Sequence, residues 1–328
     1  MSSVSRKFSG FFSGLAREIF EVTWILYKMM IPVVIVVKLL EEFGAIELVT
    51  GLLAPLMGWV GLPESMGLVW ATAMLTNIYA GLVVFYPLAL SEPLSVAQVT
   101  VLAILVLSAH SLPLEAQVAR RAGIRLPVTL LLRIGGGLLL GLLLHWSYSW
   151  GELHQQANTL IWQPEAPDTS WTGWAGQQLY FLLVVFFVIA ALLTLMRLLR
   201  VLGVEKLMIW MLQPVLRLLG IGTQATSITI IGITLGLSFG AGILIREVQA
   251  GHIPQQDIFG SIMLLGVCHS LIEDTLLLML IGAQADGILW LRLGFAVVLI
   301  ALLSRLYRRL PQPWIDRYLM VPVKAKKS

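Results

Sequence analysis

The sequence predicts an all-α polytopic membrane protein, with about ten membrane segments arranged as two inverted five-segment repeats that contain broken or re-entrant helices. Three observations carry this expectation. Of 328 residues, 58% are apolar and 12% charged, and the mean hydropathy is +0.88, whereas a soluble domain carries roughly 25% charged residues. The apolar runs approach the about 20 residues that a helix needs to cross a ~30 Å hydrocarbon core, and none alternates strictly as a transmembrane strand would. Finally, the chain repeats itself. Ser108-Ala109-His110-Ser111-Leu112-Pro113-Leu114-Glu115 recurs as Val267-Cys268-His269-Ser270-Leu271-Ile272-Glu273-Asp274, an offset of 159 residues. The same ungapped offset carries Gly44 onto Gly203, Pro55 onto Pro214, Gly61 onto Gly220, Gly81 onto Gly240, Gly123 onto Gly282, Arg133 onto Arg292 and Gly135 onto Gly294, which reads as an internal duplication.

In chain order, residues 1–20 are expected to form a cytoplasmic amphipathic lead-in, with Arg6, Lys7 and Arg17 among serines and glycines and no cleavage site. Residues 21–147 make the first repeat, with apolar segments at about 22–40, 45–60, 66–90, 95–119 and 126–147. The second repeat, 177–307, carries segments at about 177–197, 204–219, 223–248, 255–281 and 287–304. Segments 45–60 and 204–219 are short and contain Pro55 and Pro214, so they re-enter or tilt strongly rather than span simply. Residues 148–176 form an extracytoplasmic linker with Glu152, Glu165, Asp168 and four tryptophans but no Lys or Arg. Residues 308–328 form a basic cytoplasmic tail ending in Lys324, Lys326 and Lys327.

Orientation follows from the basic residues. Arg120, Arg121 and Arg125 mark an inside loop, whereas its counterpart, 281–287, has only Asp286 as a charged residue. The halves are therefore expected to be inverted, with both termini cytoplasmic and the protein in the inner membrane. The net charge of +4 is spread over segment ends and forms no nucleic-acid surface.

Ionisable residues inside a membrane normally face a cavity or a partner. His110, Ser111, Glu115, His269, Ser270, Glu273 and Asp274 are accordingly expected to line a substrate or ion path, with Pro113 supplying a helix break. Asn77, Tyr79 and Ser238 add polar lining, and Gly81, Gly240 and Gly242 allow close helix packing. Gly135, Gly136, Gly137 and Gly141 form a further packing face. Gly236-x-Ser238-x-Gly240 fits a nucleophile pattern, but that pattern belongs to a strand-to-helix turn of a soluble sheet. Arg133 and Arg292, near the start of the last segment of each half, are read as snorkelling to the interface, with pairing to Glu115, Glu273 or Asp274 as the alternative. Although the two histidines with Cys268, Glu115, Glu273 and Asp274 could supply a mixed nitrogen, oxygen and sulfur shell, no metal site is expected, because neither His-x-x-x-His nor Cys-x-x-Cys spacing occurs and Cys268 is the sole cysteine. No cofactor is expected either.

The apolar helix with Pro32, then Leu53-Ala54-Pro55-Leu56-Met57-Gly58-Trp59-Val60-Gly61-Leu62-Pro63 and Asn77-Ile78-Tyr79-Ala80-Gly81, resembles the nucleoside-recognition or "Gate" membrane domain. That domain occurs in spore-maturation A and B proteins, with related gates in ferrous-iron and concentrative nucleoside transporters. Leu212-Gln213-Pro214-Val215 through Gly242 is similar to the same unit. The resemblance implies a polytopic transporter-like fold, although the cysteine-containing gate motifs of the ferrous-iron transporters are absent.

The functional expectation is an integral membrane transporter, not an enzyme, that moves a small polar or charged solute through a site at the repeat interface, with proton coupling through the histidines. The alternative is a non-transporting accessory subunit or an embedded lipid-processing enzyme, the latter using Ser238 with His269. Expected partners are membrane lipid, an unidentified small-molecule substrate, and a second copy or a paired membrane protein, with no nucleic acid.

Overall fold

The computed structural model describes residues 3–160, 170–235, 245, 247–248 and 253–321. Ser238, Gly240 and Gly242, residues 161–169 of the 148–176 linker and the basic end of the tail lie outside the described residues. The fold is nearly all helical, and no strand occurs among the described residues.

Helix α1, Ser3–Glu42, runs without interruption through residue 20, so the expected lead-in and first segment are one helix. It packs lengthwise against α8, Trp171–Val201. Phe20, Trp24, Ile25 and Ile35 of α1 and Leu179, Leu183 and Phe187 of α8 stay exposed, as suits helices facing lipid. Helices α2 (Ile46–Trp59) and α9 (Val204–Leu218) are 14 and 15 residues long. At 1.5 Å per residue each covers roughly 20–23 Å, short of a full crossing.

The sequence suggests one segment at 66–90, but the chain breaks it into α3 (Met66–Leu75) and α4 (Ile78–Ser91). The cause is Asn77, whose backbone is extended while its Oδ1 accepts from Ala80 N at 2.9 Å. An asparagine cap offers the start of α4 a better partner than helix continuation does. The 95–119 segment is likewise two helices, α5 (Val96–Ala109) and α6 (Leu112–Arg121). Helix α7, Leu126–Trp150, contains a π-helical turn at Leu131–Gly135. In the second half follow α10 (Thr223–Leu235), α11 (Gln255–Val267), α12 (Glu273–Met279), α13 (Asp286–Arg309, opening with a π-helical turn over Asp286–Leu291) and α14 (Gln312–Tyr318).

Five stretches among the described residues are long and apolar enough to cross a membrane: Ser13–Glu42, Val96–Arg121, Leu126–Trp150, Trp171–Val201 and Asp286–Arg309. The stretch carrying His110 is the central one. Its most apolar window is 83% buried, against 17–33% for the other four.

The 159-residue offset reappears in backbone conformation. Positive φ occurs at Gly44 and Gly203, Gly61 and Gly220, Gly123 and Gly282, and, without glycine's freedom, at Ser111 and Ser270. The two broken helices run antiparallel. Asn158 joins Leu94, just before α5, to Ile281, just past α12, through bonds of 2.8 and 2.9 Å. At the opposite end, Gly123 and Arg125 bond to Val321 and Leu319, while Gln312 bonds to Gln255 at the start of α11. The two hydrophobic cores also exchange parts. Leu277, Leu278, Ile281, Ala283 and Ile288 pack into the core of the first half, and Ala119, Ala122, Ile124 and Leu132 into that of the second.

Candidate functional site

Both helix breaks use a serine. Helix α5 stops at Ala109, His110 is extended, and Ser111 adopts the left-handed conformation at φ 50°. The second half breaks the same way at Ser270, φ 47°, where no proline is nearby. Pro113 is therefore not the cause of the break, contrary to expectation. It sits in the first turn of α6, where a missing N–H removes no helical hydrogen bond. A left-handed non-glycine residue costs on the order of 1–3 kcal/mol and persists only when its surroundings hold it. Ser111 is held by N–H donation to Ala73 O at 3.0 Å and Oγ donation to Thr76 O at 2.9 Å. The break in the first α5–α6 pair thus rests on the break between α3 and α4.

These two breaks bring His110 and His269, 6% and 3% exposed, to an Nε2···Nε2 distance of 3.2 Å. Each Nδ1 faces a carbonyl one turn back, Val106 O at 3.0 Å and Leu265 O at 2.8 Å. A carbonyl only accepts, so Nδ1 carries the proton in both rings and Nε2 is left to face the centre. Glu115 closes the group, with Oε1 at 3.3 Å from His269 Nε2 and 3.7 Å from His110 Nε2. Asp274 Oδ2 approaches His110 Nε2 from the other half at 3.7 Å.

Arg133 and Arg292 do not snorkel. They are 1% and 0% exposed; Arg133 takes the alternative expected, pairing with Glu115, while their carbonyl partners, 23–25 residues upstream, are supplied only by the fold. Arg133 Nε and Nη2 donate to Ser108 O and His110 O, both at 2.9 Å, while Nη1 pairs with Glu115 Oε2. Arg292 Nε and Nη2 donate to Val267 O and His269 O at 2.9 and 3.3 Å. The last carbonyls of a helix have no internal partner, and these guanidinium groups satisfy them inside the bundle. Arg133 leans in from the π-helical turn of α7, and Arg292 follows directly on that of α13. The one available sequence signal was the recurrence of an arginine at the common offset.

The remaining expected residues divide. Tyr79 is buried within electrostatic range of Glu273 and Asp274. Asn77 caps α4 and donates toward Met29 Sδ at 3.7 Å. Ser111 and Ser270 shape the backbone, and Glu273 is half-buried without an ion pair to the cluster among the described residues. Gly81 fits a close approach: a Cβ there would stand 2.8 Å from Ala73 Cβ. Gly137 and Gly141 abut Ser108 and Leu105, whereas Gly136 faces open space. A small cavity lined by Glu115, Thr129, Arg133 and Gly266 lies beside the cluster.

Chemically, the centre offers two imidazole nitrogens, two carboxylates and two guanidinium groups in an apolar surround. It could bind an ion, exchange a proton or hold a polar solute.

The chain is similar to a protein of Bacillus subtilis (strain 168) described as uncharacterized membrane protein YvoD. The two are 29% identical over 305 residues, covering 91% of this chain and 95% of that protein. No family model matches the chain, and no solved structure matches it. Composition, spans and this similarity together make it a helical membrane protein.

Proposed function

We propose that the protein is a transporter of the inner membrane whose solute path passes through the contact between the two broken helices. One observation carries the reading: two antiparallel broken helices meet at paired histidines, with buried charge from both halves around them. Charged groups at membrane depth are costly unless they serve a path or a partner. Discontinuous helices meeting near the midplane are the common way in which inverted-repeat carriers expose backbone and side-chain polar groups to a solute. The basic loop with Arg120, Arg121 and Arg125, set against a counterpart without Lys or Arg, supports opposite membrane orientations for the two halves. The likeness of Leu53–Pro63 and Asn77–Gly81 to the Gate domain is in keeping with this reading.

The test is thermal unfolding of the purified protein against nucleosides, divalent metal ions, organic anions and lipid precursors, since a ligand bound by the native state raises its apparent stability. A stabilising solute should lose its effect in His110→Ala and in His269→Ala while each variant keeps its helical content. A solute that stabilises both variants as well as the wild type would move the path elsewhere.

A further inference from the structure

Two histidines with Nδ1 protonated present lone pairs to one another at 3.2 Å. Two lone pairs cannot hydrogen-bond, so a cation must stand between them. A shared proton would satisfy those two atoms alone. It would leave Asp274 Oδ2, which is buried and has no hydrogen-bond partner, facing His110 with nothing to bind.

We propose that His110, His269 and Asp274 form a three-ligand binding site for a divalent transition-metal ion of the zinc class, with the fourth position open to water or a solute and Glu115 beside the two histidines. The distances support it. With metal–ligand bonds of about 2.0–2.2 Å, neighbouring donors of a tetrahedral site stand about 3.3–3.6 Å apart. The histidine nitrogens stand 3.2 Å apart and Asp274 Oδ2 is 3.7 Å from His110 Nε2. The donor atoms of His110, His269 and Asp274 all lie within 4.8 Å of one another. The supporting shell is also built. Carbonyl bonds at Nδ1 orient both rings, and Arg133 holds Glu115 by its other oxygen, which leaves Oε1 toward the centre. Imidazole and carboxylate donors without sulfur suit a borderline ion such as Zn2+. The usual sequence spacing is missing because the first half contributes His110 and the second His269 and Asp274.

Arg133 and Arg292 already offset the charges of Glu115 and Asp274, so a bound divalent ion adds positive charge to a buried site. Release is then easier than from a structural zinc site, which suits a carried ion. Its role as cargo rests on the transport reading above, whereas binding does not.

The experiment titrates metal-stripped full-length protein in detergent with Co2+, followed by Zn2+ as competitor. Expected are one Co2+ per chain with the visible absorption of a tetrahedral nitrogen–oxygen site, and its displacement by Zn2+. Affinity should fall about tenfold or more in Asp274→Asn and in His269→Gln or His110→Gln, with folding checked by the melting transition. If one glutamine variant fails to fold, the other and Asp274→Asn decide. Absence of a stoichiometric Co2+ spectrum in the wild type, or an unchanged one in the folded variants, overturns the site. Zn2+ uptake into proteoliposomes separates the two readings. Binding without uptake leaves the site and removes transport. No binding, with His-dependent stabilisation by another solute, does the reverse.

Discussion

Arg133 and Arg292 occupy the same place in the two halves and make the same two bonds to the end of a broken helix, yet they differ in the third. In the first half the carboxylate at the common offset is Glu115, and its Oε2 reaches Arg133 Nη1. In the second it is Asp274, one methylene shorter, and both Arg292 Nη1 and Asp274 Oδ2 are buried without a partner. The two halves thus share a backbone arrangement here and differ in its charges. The closed pair anchors, and the open pair leaves a carboxylate oxygen facing His110 and the centre.

The sharpest way to break the comparison is to place the halves relative to the membrane. Arg121 and Leu280 are both exposed and stand at the common offset. In a Cys268→Ala background, Leu280→Cys should react with an impermeant thiol reagent on intact cells and Arg121→Cys should not. Equal labelling of the two would make the halves parallel to one another in the membrane.

Next in size is removal of each guanidinium. Arg133→Ala leaves Glu115 buried without its ion partner and should destabilise the protein by about 3–5 kcal/mol. Arg292→Ala forfeits two hydrogen bonds to carbonyls and a guanidinium that is near Asp274 but not bonded to it, and should cost less, about 1–3 kcal/mol. Thermal and denaturant unfolding of the two variants side by side measures the gap, and equal losses would mean that the first ion pair adds nothing.

Asp274→Glu sharpens the contrast by supplying the missing methylene. If it closes onto Arg292 it should stabilise the fold by roughly 1–2 kcal/mol, the scale of a hydrogen bond between charged groups, and weaken Co2+ binding by withdrawing an oxygen from His110. Unchanged stability together with unchanged Co2+ affinity would show that length is not what separates the halves. The smallest effect is expected at the turns. Ser111→Ala loses the bond to Thr76 O at 2.9 Å and should cost about 1 kcal/mol, whereas Ser270, whose hydroxyl bonds to nothing among the described residues, should tolerate alanine within about 0.5 kcal/mol. Matching losses would mean that the Ser270 hydroxyl has a partner in the folded protein.

The matching turns were legible in the sequence because glycines at positive φ resist replacement by residues with a Cβ, so Gly44, Gly61 and Gly123 stand in register with Gly203, Gly220 and Gly282. The paired His-Ser-Leu marked the centre for a related reason, since each serine bends the chain and each histidine follows it inward. Hydropathy could not reveal the breaks at Asn77 and Ser111, where apolar residues continue on both sides and hydrogen bonds decide. Arg133 and Arg292 were misplaced because charge at a segment end looks alike whether it reaches water or turns inward. The donor set was invisible to spacing rules because its members come from two halves, and α1 was read short because polar residues at its start share a helix with apolar ones.

The exchange of parts between the two cores has a consequence for the order of events in the cell. The core of the first half contains Leu277, Leu278, Ile281, Ala283 and Ile288, which leave the ribosome long after α2–α7 have been made. Domains made first generally fold first during synthesis, but here the earlier half must wait in the membrane with His110, Glu115 and Arg133 incompletely surrounded. Its assembly is timed by translation of residues 277–288, so a stall or truncation before that point should strand an inserted but unfinished chain for the cell's membrane proteases to clear.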